Sequence, residues 1–221
     1  MPDTEKDFVV ERHRMVEEQL RPRGIDDPRV LAVVESTPRH LFVPEESHPW
    51  AYADSALQIG FGQTISQPFV VALMTQALRL TGSERVLEVG AGSGYQAAIL
   101  AQLAAEVHTV EFIPELAERA TRTLAELGLT NVHVHSGDGS DGWPASAPYD
   151  AILVAAAAPH IPPPLLEQLA ENGRMILPVG GHGYQNLELW RREPGAFEHE
   201  AIIPVCFVPL RGKHGWTRDE I

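Results

Sequence analysis

Cysteine occurs once among the 221 residues, at Cys206. No disulfide frame and no cysteine-rich zinc site can be built within one chain, and the residue is expected as a small buried apolar group. Basic residues are also few: 17 Lys and Arg against 30 Asp and Glu leave a formal charge of −13. That balance speaks against nucleic acid as a partner, because phosphate binding needs a basic surface. No apolar run approaches the roughly 20 residues that span a bilayer. Met1–Asp7 is charged where a signal peptide would carry its apolar core. The expectation is a cytoplasmic protein with no membrane partner. Arg218-Asp219-Glu220-Ile221 has the look of an endoplasmic-reticulum retention signal but ends in isoleucine and follows no signal peptide, so it is discounted. The ten histidines show no H-E-x-x-H or comparable ligand spacing, and no metal is expected.

What the chain does have is centred on Glu84–Leu100. A short apolar run, Val86-Leu87-Glu88-Val89, breaks into Gly90, Gly92 and Gly94, and helix formers follow at once. Glycines let the backbone turn with positive φ and let a ligand approach the main chain, and the free N–H groups of the following helix give a site of positive potential. The spacing separates two ligand classes. A dinucleotide fingerprint has glycine at the first, third and sixth places, with a small sixth residue. Here the sixth place is Tyr95, and the strand ends in Glu88, which would repel a pyrophosphate and suits a cationic group. Val107–Glu111 reads as a second strand whose terminal acid can accept both ribose hydroxyls. An adenosine carrying a cationic amino acid meets all three conditions, which describes S-adenosylmethionine; a glycine turn without a ligand is the plainer alternative.

Around this unit the pattern is helical first and α/β afterwards. Helices are expected from about Phe8 to Leu20, from Pro28 behind Asp26-Asp27, and from Pro68 through Leu78. The N-terminal helices should pack on one edge or over the ligand mouth. Leu57–Pro68 mixes small polar and apolar residues without a clear period, and Ser66 stands at a natural capping position. Helix 114–127, strand 132–135, the turn Gly137-Asp138-Gly139 and strand 149–154 follow. A helix from Pro162 that ends at Gly173, strand 175–179 and two antiparallel strands near 185–191 and 197–208 complete the chain. Asp138 between glycines can accept an adenine amino group or simply make a turn. This order predicts an α/β fold: a doubly wound, mostly parallel Rossmann-like sheet with an N-terminal helical segment and ligands beyond the strands' carboxyl ends. No linker splits the chain. One domain, 1–221, is expected, with 1–80 helical and on the substrate side, 81–180 binding the cofactor, and 181–221 completing sheet and groove.

Several segments together resemble the protein-L-isoaspartate (D-aspartate) O-methyltransferase family. They are Arg23–Asp26, Pro38–Pro44, Ala51–Asp54, Val86–Gln96, Gly137–Gly139 with Gly142-Trp143, Ala147–Val154, Pro178–Gly180, Phe207–Leu210 and, most specifically, Ile59–Pro68. The resemblance implies a repair enzyme of the S-adenosylmethionine-dependent type. It would move a methyl group to the free α-carboxylate of L-isoaspartyl residues in damaged proteins and peptides, with D-aspartyl residues an open second substrate. The ester can then close to a succinimide and hydrolyse in part to normal aspartate.

Carried over by position, Ser66 is the active-site serine. Ile65, Ser66, Glu88, Gly90, Ala91, Gly92, Gly94, Glu111, Phe112, Asp138 and Gly139 contact the cofactor; Thr64, Ser66, Val208 and Leu210 contact the substrate. Partners are then isoaspartyl proteins and peptides, and a monomer is expected. A carboxylate is already a nucleophile at neutral pH, so Ser66 need only orient it, and donors near the Ser66 helix start can receive its charge. Two departures stand out: Ala155–Ala158 lacks the hydroxyl expected after that strand, and Arg211 stands where a smaller residue is usual, either on the surface or against the substrate carboxylate. The rivals are a nicotinamide oxidoreductase, disfavoured by Tyr95 and Glu88, a methyltransferase for another acceptor, and a module that binds isoaspartyl peptides without reaction.

Overall fold

A computed structural model of the chain describes residues 5–217. The retention-like tetrapeptide Arg218–Ile221 and the first four residues of the charged start lie outside the described residues. Helix α1 (Glu5–Met15) runs on through a π turn, Val16–Leu20, and a 3-10 turn, Arg21–Arg23, to stop at Gly24. Helix α2 (Pro28–Ser36) starts where expected: the Asp27 carboxylate accepts from the Arg29 and Val30 N–H groups, and Pro28 fills the first turn. Helix α2 packs on α1, and α2 together with the π turn that continues α1 packs on α3 (Pro68–Leu78); α2 also meets α4 (Tyr95–Ala101). They form a helical layer backing α3 and α4, and Arg23 at the end of the first helical run reaches the second cavity described below. The Gln76 side chain fastens this layer, accepting from the Asp26 and Asp27 N–H groups and donating to the Gly24 carbonyl.

Leu57–Ile65 is a hairpin, which its irregular polarity had hidden. Strand β1 (Leu57–Gly60) pairs antiparallel with β2 (Gln63–Ile65). Gly60, Phe61 and Gly62 take φ values of 93°, 56° and 70°, a turn that flanking glycines make accessible. The Arg119 guanidinium donates to the Ile59 carbonyl at 2.8 Å and ties the hairpin to α5 (Pro114–Glu126).

The main sheet contains β3 (Arg85–Val89), β4 (Glu106–Glu111), β5 (Val132–Ser136), β6 (Tyr149–Val154), β7 (Leu169–Gly181), β8 (Tyr184–Glu193) and β9 (Ala196–Val205). Their spatial order is β5-β4-β3-β6-β7-β8-β9. The first five run parallel, and β8 and β9 are added antiparallel. Strand order reverses between β3 and β6, which opens a crevice at their carboxyl ends. Val86, Leu87, Ile152 and Leu153 are fully buried at the sheet centre, as strands covered on both faces must be.

Two expectations fail here. Helix α6 (Pro163–Gln168) ends well before Gly173, and β7 starts at Leu169. Leu169 is fully buried and pairs with Tyr149, and Asn172 at φ 63° with Gly173 forms the bulge that restores register. Gly173 is needed because a Cβ there would lie 2.8 Å from the Ala170 carbonyl oxygen. Cys206, expected in the core, is exposed.

Candidate active site

The turn after β3 sits at the reversal point. Gly90, Gly92 and Gly94 all have positive φ, and the Gly90 N–H donates to the Val110 carbonyl at 2.8 Å, so the loop is moored to β4. Glu111, at the end of β4, finishes the job. One carboxylate oxygen accepts from the Gly92 N–H at 2.8 Å and the other from the Ile113 N–H at 2.9 Å. A carboxylate has about four acceptor sites, so each oxygen keeps capacity for a further donor.

These elements enclose a cavity of about 850 Å³, open mouth included. Thr64, Ile65, Ser66, Gly90, Ala91, Gly92, Glu111, Phe112, Gly139, Val208 and Leu210 line it. Three of the residues expected at the cofactor do not. Gly94 serves packing, since a Cβ there would lie 3.2 Å from that of Ala120 on α5. Asp138 turns its carboxylate away, one oxygen accepting from the Ser140 N–H and hydroxyl and the other from the Lys213 N–H. Its neighbour Gly139 faces the cavity, where a Cβ would lie 2.6 Å from Val89 Cγ1.

Glu88 is fully buried beneath the loop. The Thr109 hydroxyl donates to one carboxylate oxygen at 2.5 Å, and the other has no partner. Burial pushes its carboxyl up to about 8; the Thr109 bond opposes the rise and the Glu111 charge adds to it. The earlier reading of Glu88 as a carboxylate at the ligand is therefore corrected. It is a buried group on the face of β3 opposite the lining residue Val89, and its ionised form is disfavoured by burial.

Ser66 does not cap α3. The cap position is Gln67, with no side-chain cap bond, and Ser66 stands one residue earlier, on the cavity wall. Behind it lies a second cavity, about 1050 Å³ with its mouth, reached by Arg23, Gln67, Phe69, Ile203, Cys206 and Phe207. Thr64, Ser66, Ala155 and Val208 line both cavities. Arg23 packs over the Phe69 ring at 3.4 Å and pairs with Asp54 at 2.7 Å. Arg211 is half-buried and lines the first cavity, which removes the reading of it as a surface arginine.

The Ala155–Ala158 segment does its work through the main chain. Ala157 donates to the Val208 carbonyl and accepts from the Leu210 N–H, both at 2.8 Å, and accepts from the Trp216 indole at 2.9 Å. The Val208 N–H and the Pro209 carbonyl make no hydrogen bond among the described residues. Sequence reasoning missed Met74 and Val71, which line the first cavity from α3 but read as core, and Tyr95 in its lining role. Tyr95 is buried against Phe42, with ring centroids 5.4 Å apart, which is the room a bulky sixth residue needs.

The model for protein-L-isoaspartate(D-aspartate) O-methyltransferases matches residues 11–215. The chain belongs to this family. It is 54% identical over 213 residues to the protein-L-isoaspartate O-methyltransferase of Roseiflexus sp. (strain RS-1), covering 96% of this chain and 97% of the relative. The same enzyme of Methanoregula boonei is 55% identical over 206 residues, covering 93% and 95%. A solved protein-L-isoaspartate O-methyltransferase superposes with a TM-score of 0.83 at 28% identity, over 92% of this chain and 67% of the other. A structure from Plasmodium falciparum described as a putative member in complex with S-adenosyl-L-homocysteine shares the fold, with a TM-score of 0.78 at 24% identity over 92% and 98%. The enzyme is thus a protein-repair methyltransferase that uses S-adenosylmethionine and acts on L-isoaspartyl residues. No helix among the described residues is long and apolar enough to cross a membrane.

Proposed function

We propose that the first cavity holds S-adenosylmethionine, that the second receives the isoaspartyl peptide, and that Ser66 orients the α-carboxylate at the wall between them. The observation that carries this reading is the shared wall itself: Thr64, Ser66, Ala155 and Val208 line both spaces. The cofactor supplies a methyl group activated by a sulfonium. The residues present fit it. Glu111, moored yet with acceptor capacity left, suits ribose hydroxyls, and Phe112 and the floor at Gly139 suit a flat base. Asp138 supports this floor indirectly, by holding Ser140 and Lys213.

The peptide carboxylate needs no base, being ionised at neutral pH. It needs alignment and local positive charge in a protein of −13, and Arg23 and Arg211 bring guanidinium groups to the two cavities. The free Val208 N–H and Pro209 carbonyl offer an extended peptide the two groups with which a strand pairs. In an isoaspartyl residue the chain continues through the side-chain carbonyl, so the α-carboxylate hangs free and the following backbone is displaced by one methylene. A groove reading main chain then aligns that carboxylate and misaligns a normal aspartyl side chain, with little demand on flanking residues. D-Aspartyl residues fall to the same test. The exposed free thiol of Cys206 fits a reducing, cytoplasmic setting.

The experiment is methyl transfer to an isoaspartyl peptide and its aspartyl twin by the parent and by Ser66→Ala. The isoaspartyl peptide should be labelled in strong preference. Ser66→Ala should lower turnover by roughly ten- to a hundredfold, the worth of a bond to a charged group, with cofactor affinity and melting nearly unchanged. Normal turnover in the variant removes Ser66 from the reaction.

A further inference from the structure

At the amino-terminal end of β4, away from both cavities, Glu106 and His108 point to one face of the sheet, two residues apart on the strand. His133 on the edge strand β5 stands directly opposite His108 in the parallel register, and His135 follows on the same face. The three rings are held in order: His108 stacks on His133 at 4.9 Å and on His135 at 5.3 Å, and His135 stacks on Trp143 at 3.9 Å. Arg85 takes one Glu106 oxygen at 2.8 Å. The other oxygen lies 3.4 Å from Nε2 of His108 and 3.4 Å from Nε2 of His133.

We propose that Glu106, His108 and His133 form a divalent transition-metal site of the zinc class that clips the edge strand β5 to β4. Two observations support it independently. The three donor atoms lie within 4.8 Å of one another, and the two 3.4 Å edges match the roughly 3.3 Å between ligands of a tetrahedral ion bound at about 2.0–2.1 Å. Separately, His108 has a side chain only 7% exposed, yet its Nε2 has no hydrogen-bond partner, while its Nδ1 meets Nε2 of His135 at 3.0 Å. A ring held at Nδ1 by an outer partner, with Nε2 turned toward the other two candidate ligands, is arranged as metal-binding histidines are. Two imidazoles and one carboxylate favour zinc, copper or nickel over magnesium or calcium, and half-exposed His133 leaves a path for the ion and a place for water as fourth ligand. The spacing escaped the sequence reading because the ligands lie across two strands. Glu106 stands the full length of β4, roughly 16 Å, from Glu111, and His108 stands roughly 10 Å from it.

The test uses the full chain after chelation, carrying Cys206→Ser so that the exposed thiol cannot compete. Zinc titrated in a calorimeter should bind one to one and raise the melting temperature, and cobalt should give the visible absorption of a tetrahedral ion. His133→Ala and Glu106→Gln should each weaken zinc by at least about tenfold, and His135→Ala by about 10–100-fold through the outer bond, while His199→Ala, on a remote strand, should not. Absence of saturable zinc binding overturns the proposal, and so does equal affinity in His133→Ala, since the ion would then sit elsewhere.

Discussion

At the scale of single residues, Glu88 near the end of β3 and Glu111 at the end of β4 look alike in sequence and behave differently. Glu111 is held at the cavity by two N–H groups and keeps acceptors for a ligand. Glu111→Ala should therefore weaken S-adenosylmethionine by about 1.5–3 kcal/mol, measured by calorimetry, and should also slacken the Gly92 loop it moors. Glu88 is buried, with its carboxyl pushed up to about 8. Because that value lies above the ordinary 4.5, its favourable neutral state is complete below about pH 4.5 and is lost as pH rises toward 8. Glu88→Gln, which keeps an oxygen for Thr109, should melt like the parent near pH 5 and increasingly above it toward pH 9. The gain should approach a few kcal/mol at about 1.4 per pKa unit. Parallel melting profiles across this range would mean that Glu88 is ionised in the folded chain.

Among the elements, the strap from Val208 to Trp216 joins the two cavities. It is pinned by Ala157 on one side and, through the N–H groups of Lys213 and His214, by Asp138 and Ser140 on the other. Gly212 lies at φ 137°, and a Cβ there would run into the Asp138 carboxylate. Gly212→Ala should lift the strap, raise amide exchange over 208–216 and weaken both cofactor and peptide, although it touches neither. The sequence showed β6 most clearly because Ala151–Val154 is the continuous apolar run of a buried parallel strand. It hid the β1–β2 hairpin, whose three-residue β2 is too short for a period, and it hid the bulge at Asn172-Gly173, where tertiary pairing of Leu169 overrides a helix-ending glycine. At the site, the glycine turn and the strand-end Glu111 were legible from type and position, whereas local sequence offered Ser66 only as a helix cap and the family resemblance alone put it at the cavity. The loss of Asp138 and Glu88 from the lining was not, since it depends on the Lys213 N–H, 75 residues away, and on which face of β3 a side chain takes.

For the whole molecule, a charge of −13 sets how substrates arrive. Isoaspartyl peptides with basic flanks should show lower KM than acidic ones at low salt. The difference should shrink as the Debye length falls from about 30 Å at 0.01 M to about 10 Å at 0.1 M, with kcat changing little. A KM gap indifferent to salt would locate the preference in direct contacts. The outermost strand, β9, exposes Glu198, His199, Glu200 and Pro204 along its length. A sheet edge is a template on which any loose strand can add, and charge and proline blunt it. A protein that handles damaged, partly unfolded chains must accept an extended segment in one groove and refuse it everywhere else. On that view β9 is the enzyme's guard against being recruited into its clients' aggregates, and neutralising Glu198 and Glu200 together should leave catalysis intact while making the enzyme co-precipitate with them.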